Sequence, residues 1–267
     1  MTALDAPVSM GLDTLLEVRH LSVFCRHQLL LRDISLGIPP RQLVTLIGAS
    51  GSGKSLLLSC LNRFIELFPN LHMTGEIKYR QHSLYEWDVS QLRCRMPLIF
   101  SRPSLFPKSI YENVAFGPRV HGYQGDLDAL VQSSLEQVNL WQTLKNHLGE
   151  PALHLSLEQQ QRLCLARAIA LQPEILLLDD PCMGLDTAAT HRMEECLCQL
   201  KQTYTLIMAT HHLRQAARIS DWTAFLALQT NSEGQTVGQL IEYAPTRLLF
   251  QRPQHPLTRD YVSGRFL

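Results

Sequence analysis

Residues 48–55, GASGSGKS, form a glycine-rich segment that fits the pattern G-x-x-x-x-G-K-[ST]. Glycines at this spacing let backbone N–H groups curl around β- and γ-phosphate oxygens without Cβ clashes. Lys54 would neutralise phosphate charge, Ser55 would ligate Mg²⁺, and the dipole of a following helix would add positive potential. The predicted phosphate-binding residues are Gly48, Ala49, Ser50, Gly51, Ser52, Gly53, Lys54 and Ser55.

The context of this segment is the one that the motif requires. An apolar run at residues 42–47, QLVTLI, precedes it, and a helical stretch is predicted from Lys54 to Phe64. Strand, phosphate loop and helix therefore follow one another, which makes a chance glycine-rich turn a poor explanation.

A second motif, EILLLDDP at residues 174–181, is an apolar strand that ends in two carboxylates. Asp179 is predicted to hold Mg²⁺ through water, and Asp180 stands where a general base for an attacking water belongs. By itself the pair would also fit a strand cap and turn. Its distance along the chain from the phosphate loop favours the metal and base roles.

Between the two motifs, LHLSLEQQQRLCLARAIALQP at residues 153–173 predicts a long helix that ends before Pro173. Ser156 and Gln159 have the spacing of a capping box at its start. The residues alone indicate no more than a well-capped surface helix.

The elements that position these motifs are predicted from hydrophobic periodicity. Residues 16–24 and 29–38 suggest an antiparallel hairpin, residues 108–160 are mainly helical, and buried parallel strands resume after them. The other predicted strands are 75–80 (an edge strand), 97–100, 174–179, 204–210 and two after residue 221, and the other predicted helices are 187–201 and about 212–218. We expect one α/β core with an inserted helical lobe.

Composition excludes several classes of protein. The 267 residues are 45% apolar and 18% charged, which is typical of a globular domain, and 24 basic residues balance 24 acidic ones. A nucleic-acid binder would usually have a basic excess, so no nucleic-acid partner is expected. No apolar run approaches 18 residues and the N-terminus lacks a signal pattern, so the chain is expected neither to cross a membrane nor to be secreted. The seven cysteines form no CxxC pair, which favours free thiols over a metal site.

The order of these motifs resembles that of the ABC (ATP-binding cassette) ATPases, from about residue 16 to the C-terminus. A histidine pair in THH, residues 210–212, completes the order. One branch, the ATP-binding subunits of bacterial phosphate importers, is the most similar. The segments that carry this likeness are 102–123 (RPSLFPKSIYENVAFGPRVHGY), 159–170 (QQQRLCLARAIA), 215–225 (QAARISDWTAF) and 260–266 (DYVSGRF).

The resemblance implies a fold: a P-loop NTPase of the ABC type, with a RecA-like core sheet, an antiparallel β subdomain and an inserted α-helical subdomain at about residues 101–172. The implied domain spans residues 16–267, after a flexible N-terminus at residues 1–15. It also implies a dimer in which ATP and Mg²⁺ are held between the phosphate loop of one subunit and the signature helix of the other. Implied partners are a second ATPase subunit, two membrane permease subunits and, indirectly, a periplasmic substrate-binding protein, at the cytoplasmic face of the bacterial inner membrane.

The resemblance also assigns roles to single residues. Ser156 and Gln159 belong to the signature that contacts the γ-phosphate across the dimer. Asp186 lies in the loop that links the two sites, and Asp180 and His211 serve the hydrolytic step. Phe24 is the candidate for stacking on adenine.

Several positions depart from the family pattern. Asp180 replaces a glutamate, and the signature LSGGQ is LSLEQ, with Leu157 and Glu158 in place of two glycines. Glu158 is expected to face the incoming γ-phosphate, with a repulsion on the order of 1–4 kcal/mol at about 4 Å. Three more positions depart from the pattern. Ser101 stands where the family has a glutamine, Cys25 where it has the aromatic residue that stacks on adenine, and Leu56 where it has a residue with a hydroxyl group. Together they predict a slowed or conditional ATPase.

Three other functions compete with that of a transport ATPase. A nucleotide-binding regulatory subunit with little hydrolysis would explain the departures directly. A soluble ABC protein of DNA repair or translation would need tandem cassettes or a long coiled coil, and this chain has one phosphate loop and no sustained heptads. A nucleotide kinase would need a lid for its second substrate, and would leave the LSLEQQQR helix unexplained.

Overall fold

The computed structural model describes residues 14–230 and 234–264. The predicted flexible N-terminus therefore lies outside the described residues, except for residues 14 and 15. Residues 231–233 and the last two residues of the 260–266 segment also lie outside them. The described chain forms two compact units, one from residues up to Leu92 and from Ile207 onward, the other from Arg93 to Leu206.

The first unit contains a mixed sheet and the helices that follow its strands. Its strands are β1 (Leu16–Cys25), β2 (Gln28–Ile38), β3 (Leu43–Ile47), β4 (Leu71–Tyr79), β5 (His82–Ser83), β9 (Trp222–Thr230) and β10 (Thr236–Pro245). Its helices are α1 (Lys54–Leu61), α8 (Leu213–Ile219), α9 (Thr246–Gln251) and α10 (Pro256–Val262), with 3₁₀ turns at Phe64–Leu67 and Leu84–Glu86. Helix α2 (Val89–Arg95) carries the chain into the second unit.

Strand order within the first unit is β5-β4-β1-β2-β10-β9-β3. The predicted hairpin is confirmed, because β1 and β2 pair antiparallel, and β4 pairs antiparallel with β1 on its other side. Strand β3 runs parallel to β9, and all five of its residues are buried. The apolar run before the glycine-rich segment is therefore a core strand whose carboxyl end presents residues 48–55.

The second unit is mainly helical. It contains β6 (Leu98–Ile99), α3 (Ile110–Val120), α4 (Leu127–Gln137), α5 (Trp141–Leu144), α6 (Leu157–Ile169), β7 (Ile175–Asp179) and α7 (Thr187–Leu200), with a 3₁₀ turn at Ala152–His154. Strands β6 and β7 are parallel, and four helices, α3–α6, intervene between them in the chain. Side chains of Ser109, Asp126, Ser156 and Asp186 cap the N-termini of α3, α4, α6 and α7.

The chain returns to the first unit within β8 (Thr205–Ala209). The Thr205 N–H donates to the Glu174 carbonyl in the second unit, and the Thr210 N–H donates to the Leu46 carbonyl in the first. The end of β8 therefore lies beside the end of β3, which places His211 next to the strand that leads into the glycine-rich loop.

Three differences from the sequence-based expectations have physical causes. The helix predicted to reach Phe64 ends at Leu61, where Arg63 adopts a left-handed backbone with φ 59°. Strand β4 is not the edge of the sheet, because β5 pairs outside it. The tail after β10 folds into α9 and α10, which are too short to produce a periodic pattern.

Candidate functional site

Residues 48–55 adopt the backbone of a phosphate-binding loop between β3 and α1. Gly48, Gly51 and Gly53 have φ angles of 150°, 80° and 95°. A Cβ at Gly48 would collide with the Leu226 carbonyl oxygen, and a Cβ at Gly53 would collide with the Leu31 side chain. Glycine is thus required at both positions by conformation and by space, as the motif predicts.

Lys54, the first residue of α1, turns its side chain back into the loop. Its Nζ donates to the carbonyl oxygens of Gly48 at 2.7 Å and Ala49 at 2.9 Å. Ser52 is fully buried beneath the loop, and its hydroxyl lies 3.4 Å from the same ammonium. The ammonium is therefore held inside the curve of the loop, where a bound phosphate group would meet it.

Ser55 is exposed on the first turn of α1, at the positive end of the helix dipole. In the second unit, Asp179 ends β7 and is partly buried. A hydroxyl and a carboxylate are the oxygen ligands that Mg²⁺ prefers, so the donor types predicted for the metal fit it chemically.

Asp180 follows β7 and has a left-handed backbone, with φ 47°. Aspartate is one of the few residue types other than glycine that occupies this conformation readily. The turn directs the partly buried Asp180 out of the strand, while the following residues 181–184 form a tight turn toward Asp186. Asp186 itself caps α7, since its carboxylate accepts from the Ala189 N–H at 2.7 Å.

The predicted capping box at the signature segment is present. The Ser156 hydroxyl accepts from the Gln159 N–H at 3.3 Å, and the Gln159 side-chain oxygen accepts from the Ser156 N–H at 3.1 Å. A hydroxyl that accepts one bond still has its proton to donate. Ser156 can therefore cap α6 and donate to a phosphate at the same time, and Gln159, whose side-chain oxygen accepts in the cap, keeps its amide N–H donors.

Glu158 does not face outward, and the expectation that it would repel an incoming phosphate is wrong. Its side chain is 7% exposed and forms ion pairs with Arg162 at 2.8 Å and with Arg192 of α7 at 2.6 Å. Both Glu158 oxygens also accept from the Arg192 Nε at 3.0 Å. The hydrogen bonds and the charge of Glu158 raise the pKa of the Arg192 guanidinium. The carboxylate replaces a glycine without adding an uncompensated negative charge at the end of α6.

Leu157 is the more exposed of the two signature substitutions, at 43%. Its side chain approaches Gly184, where an added Cβ would lie 3.4 Å from Leu157 Cδ2. The signature segment and the loop before Asp186 are thereby brought together within the second unit.

Replacing Glu158 with alanine is expected to lower the free energy of unfolding by about 3 kcal/mol, because Arg162 would keep its buried charge without a carboxylate. Thermal or urea unfolding of the purified chain measures this change. Glu195→Ala, which removes an exposed carboxylate from α7, the helix that carries Arg192, is the control and should change stability by no more than about 0.5 kcal/mol. Equal effects of the two substitutions would contradict the structural role of Glu158.

The segment around Ser101 is tied to α6. The Gln161 side-chain amide donates to the Phe100 carbonyl at 2.8 Å, and the Arg167 guanidinium donates to the Ser104 carbonyl at 2.8 Å. Arg167 also lies over the Phe106 ring, 4.9 Å from its centroid. These contacts join the 100–106 segment to α6, the helix whose N-terminus Ser156 caps.

His211 and His212 follow β8 and are exposed, with their ring centroids 3.9 Å apart. The His212 N–H donates to the Thr210 hydroxyl at 3.1 Å, and Thr210 is buried. This turn anchors the backbone next to His211 at the carboxyl end of β8.

Phe24, near the end of β1, is partly buried, and its ring stacks on His72 of β4 with centroids 5.0 Å apart and planes at 8°. One face of the Phe24 ring is thus occupied by His72. Cys25 and Leu56 are partly buried, and all seven cysteines are free. Arg192 and His72 were missed because no local motif marks either residue.

Comparisons with known proteins agree with this geometry. A family described as ABC transporter matches residues 31–183. The chain is 46% identical over 260 residues to the phosphate import ATP-binding protein PstB 1 of Synechococcus sp. The alignment covers 97% of this chain and 94% of that protein. It is also 43% identical over 263 residues to the phosphate import ATP-binding protein PstB 2 of Synechocystis sp. That alignment covers 97% of this chain and 99% of the relative.

A solved structure has the same fold. CbiO1 of Clostridium perfringens, part of an ABC transporter complex, superposes with a TM-score of 0.74 at 22% identity, over 90% of this chain and 92% of that one.

Proposed function

Since the chain belongs to the ABC transporter family, we propose that it is the ATP-binding and ATP-hydrolysing subunit that energises an importer of inorganic phosphate. The observation that carries the nucleotide site is the loop at residues 48–55, where Gly48 and Gly53 leave no room for a Cβ and the Lys54 ammonium lies inside the curve. Phosphate as the cargo is supported by the phosphate importers to which the chain is 43–46% identical.

The nucleotide is proposed to bind as Mg-ATP. Residues 48–55 would hold its phosphates, and Ser55 and Asp179 would hold the metal, which neutralises charge on the transferred phosphoryl group. Asp180 would accept the proton of the attacking water and His211 would steady that water. Phe24 is proposed to support adenine with the ring face that His72 leaves uncovered.

A second copy of an ATPase subunit is proposed to complete each site. Ser156 at the start of α6 would donate its hydroxyl proton to the γ-phosphate held by the partner, and Asp186 would lie near the junction of the two sites. Glu158, paired with two arginines, would offer the phosphate no net repulsion. Leu157 is the substitution at the signature that would still hinder close approach of the backbone.

The cargo would be moved by separate membrane subunits. Among the described residues, no helix has both the length and the apolarity needed to span a membrane. We propose two permease subunits as partners, a periplasmic substrate-binding protein as an indirect one, and a position on the cytoplasmic face of the inner membrane. Nucleic acid is not a proposed partner.

Transport is the test of this function. The chain is reconstituted with the permease subunits of a phosphate importer in proteoliposomes, and uptake of radiolabelled phosphate is followed with and without Mg-ATP. We expect ATP-dependent uptake of phosphate, but not of sulfate. Uptake that does not depend on ATP, or none from a complex that forms and hydrolyses ATP, would contradict the proposal.

A further inference from the structure

Arg192 connects the second turn of α7 to the first turn of α6. Its Nη2 donates to one Glu158 carboxylate oxygen at 2.6 Å, and its Nε lies 3.0 Å from both oxygens. The Glu158 side chain is 7% exposed, whereas that of Arg192 is 51% exposed. When two nitrogens of a planar guanidinium bind one carboxylate, they fix the orientation of the two side chains as well as their distance. The pair therefore joins the two helices in one geometry.

Each of the two helices carries a residue of the proposed nucleotide site close to this pair. Glu158 lies two positions after Ser156, which caps α6. Arg192 lies six positions after Asp186, which caps α7 through the Ala189 N–H at 2.7 Å. The backbone is rigid over one or two turns of an α-helix, because hydrogen bonds close every turn. The bonds between Glu158 and Arg192 therefore fix where Ser156 lies relative to Asp186.

A second contact between the same segments is apolar. Leu157 approaches Gly184, which lies in the tight turn before Asp186. Gly184 has a φ of 77° and no side chain, and apolar contacts have no preferred direction, so this contact restrains the turn weakly. The directional link is the pair of Glu158 and Arg192. It exists in this chain because a glutamate stands where the signature of the family has a glycine, which could not reach Arg192.

We infer that Arg192 is a positioning residue, which holds the start of α6 and the loop before α7 in one arrangement and so presents Ser156 and Asp186 together to a second copy of the subunit. The inference rests on the proposed function, in which these two residues complete the nucleotide site of the partner. Groups that are already fixed lose less conformational entropy on association. Arg192 therefore strengthens the dimer that forms with Mg-ATP, without belonging to the phosphate-binding loop itself.

Arg192→Ala tests the inference because Glu158 keeps its ion pair with Arg162 at 2.8 Å, so the buried carboxylate is not left without a partner. The variant is compared with a parent chain, and both carry Asp180→Asn to keep the bound nucleotide intact. We expect the dissociation constant of the dimer, measured by sedimentation velocity at saturating Mg-ATP, to rise about threefold to tenfold, the range for ordering one side chain on association. The Kd of the monomer for Mg-ATP should change by less than about twofold, since Arg192 lies outside the phosphate loop.

Two further measurements separate positioning from general stability. Without nucleotide, amide hydrogen exchange in Arg192→Ala should speed up in a peptide that spans Ser156 and in one that spans Asp186, because the link restrains both. Faster exchange spread evenly over the whole second unit would instead mark a general loss of stability and overturn the positioning role. Arg192→Lys keeps the charge but not the planar fork, so its dimer dissociation constant should lie between those of the parent and Arg192→Ala.

Arg119→Ala is the matched control. Arg119 lies on α3 of the same unit, its side chain is 47% exposed, and its Nη1 donates to both Glu112 oxygens at 2.7 and 2.8 Å. Its replacement should leave the dimer dissociation constant and the exchange in both peptides unchanged. An unchanged dissociation constant in Arg192→Ala, or an equal rise in the control, would overturn the inference alone. A parent chain that binds no Mg-ATP, or binds it and does not dimerise, would overturn the proposed function and the inference with it.

Discussion

Replacing Lys54 with alanine is expected to lower the rate of ATP hydrolysis by about 10²–10³-fold. The reason is the position of the ammonium, which the structure holds within the loop at 2.7 Å from the Gly48 carbonyl. In the proposed complex this charge would stabilise the negative charge that develops on the phosphoryl group, a contribution that neither water nor a neighbouring residue replaces. Phosphate release at saturating Mg-ATP, with protein at a concentration that favours dimers, measures the effect.

Two further variants separate loss of charge from loss of fold. Lys78→Ala removes a lysine on β4 that pairs with Glu76 at 3.3 Å, outside the loop, and should leave hydrolysis unchanged. Lys54→Arg keeps the charge but not the compact ammonium, so its rate should fall between those of the wild type and Lys54→Ala. A Lys54→Ala protein that is folded and hydrolyses ATP at the wild-type rate would refute the assignment.

Replacing Asp180 with glutamate is expected to raise kcat by about tenfold to 10²-fold. The longer side chain would bring the carboxylate closer to the attacking water, and a misplacement on the order of 1 Å can cost roughly 10²-fold in rate. The same change should reduce thermal stability slightly, because φ at this position is 47° and glutamate tolerates the left-handed backbone less well than aspartate. Asp180→Asn, which removes the base, should abolish turnover.

The combined rates decide between a transport ATPase and a regulatory subunit. Turnover of the wild type well above that of Lys54→Ala, with no gain in Asp180→Glu, would mean that the departures from the family pattern are tolerated. Turnover that is negligible in the wild type and restored in Asp180→Glu would show that the short side chain of the general base, Asp180, limits hydrolysis. Negligible turnover in both would shift attention to Leu157 and favour the regulatory alternative, because Glu158 is already neutralised by arginines.

Local sequence was sufficient for the parts of the protein that depend on local chemistry. The phosphate loop was predictable because its glycines, lysine and serine stand at fixed spacing after an apolar run, and β3 is indeed a fully buried strand. The strands before and after the helical lobe were predictable because buried parallel strands are continuous apolar segments. The cap of α6 followed from the spacing of Ser156 and Gln159 alone.

Tertiary structure decided whatever depends on partners distant in the chain. The local sequence predicts Glu158 to be an obstacle to phosphate, yet its carboxylate is buried and paired with Arg192, 34 positions later. Tyr261 stacks on Phe225 because α9 and α10 fold back against β9, and these helices are too short for periodicity to reveal them. A pattern of residue types reports what a segment tends to form and which face it buries. The group that neutralises a buried charge is determined only when the whole core is packed, because such contacts join residues that no local pattern relates.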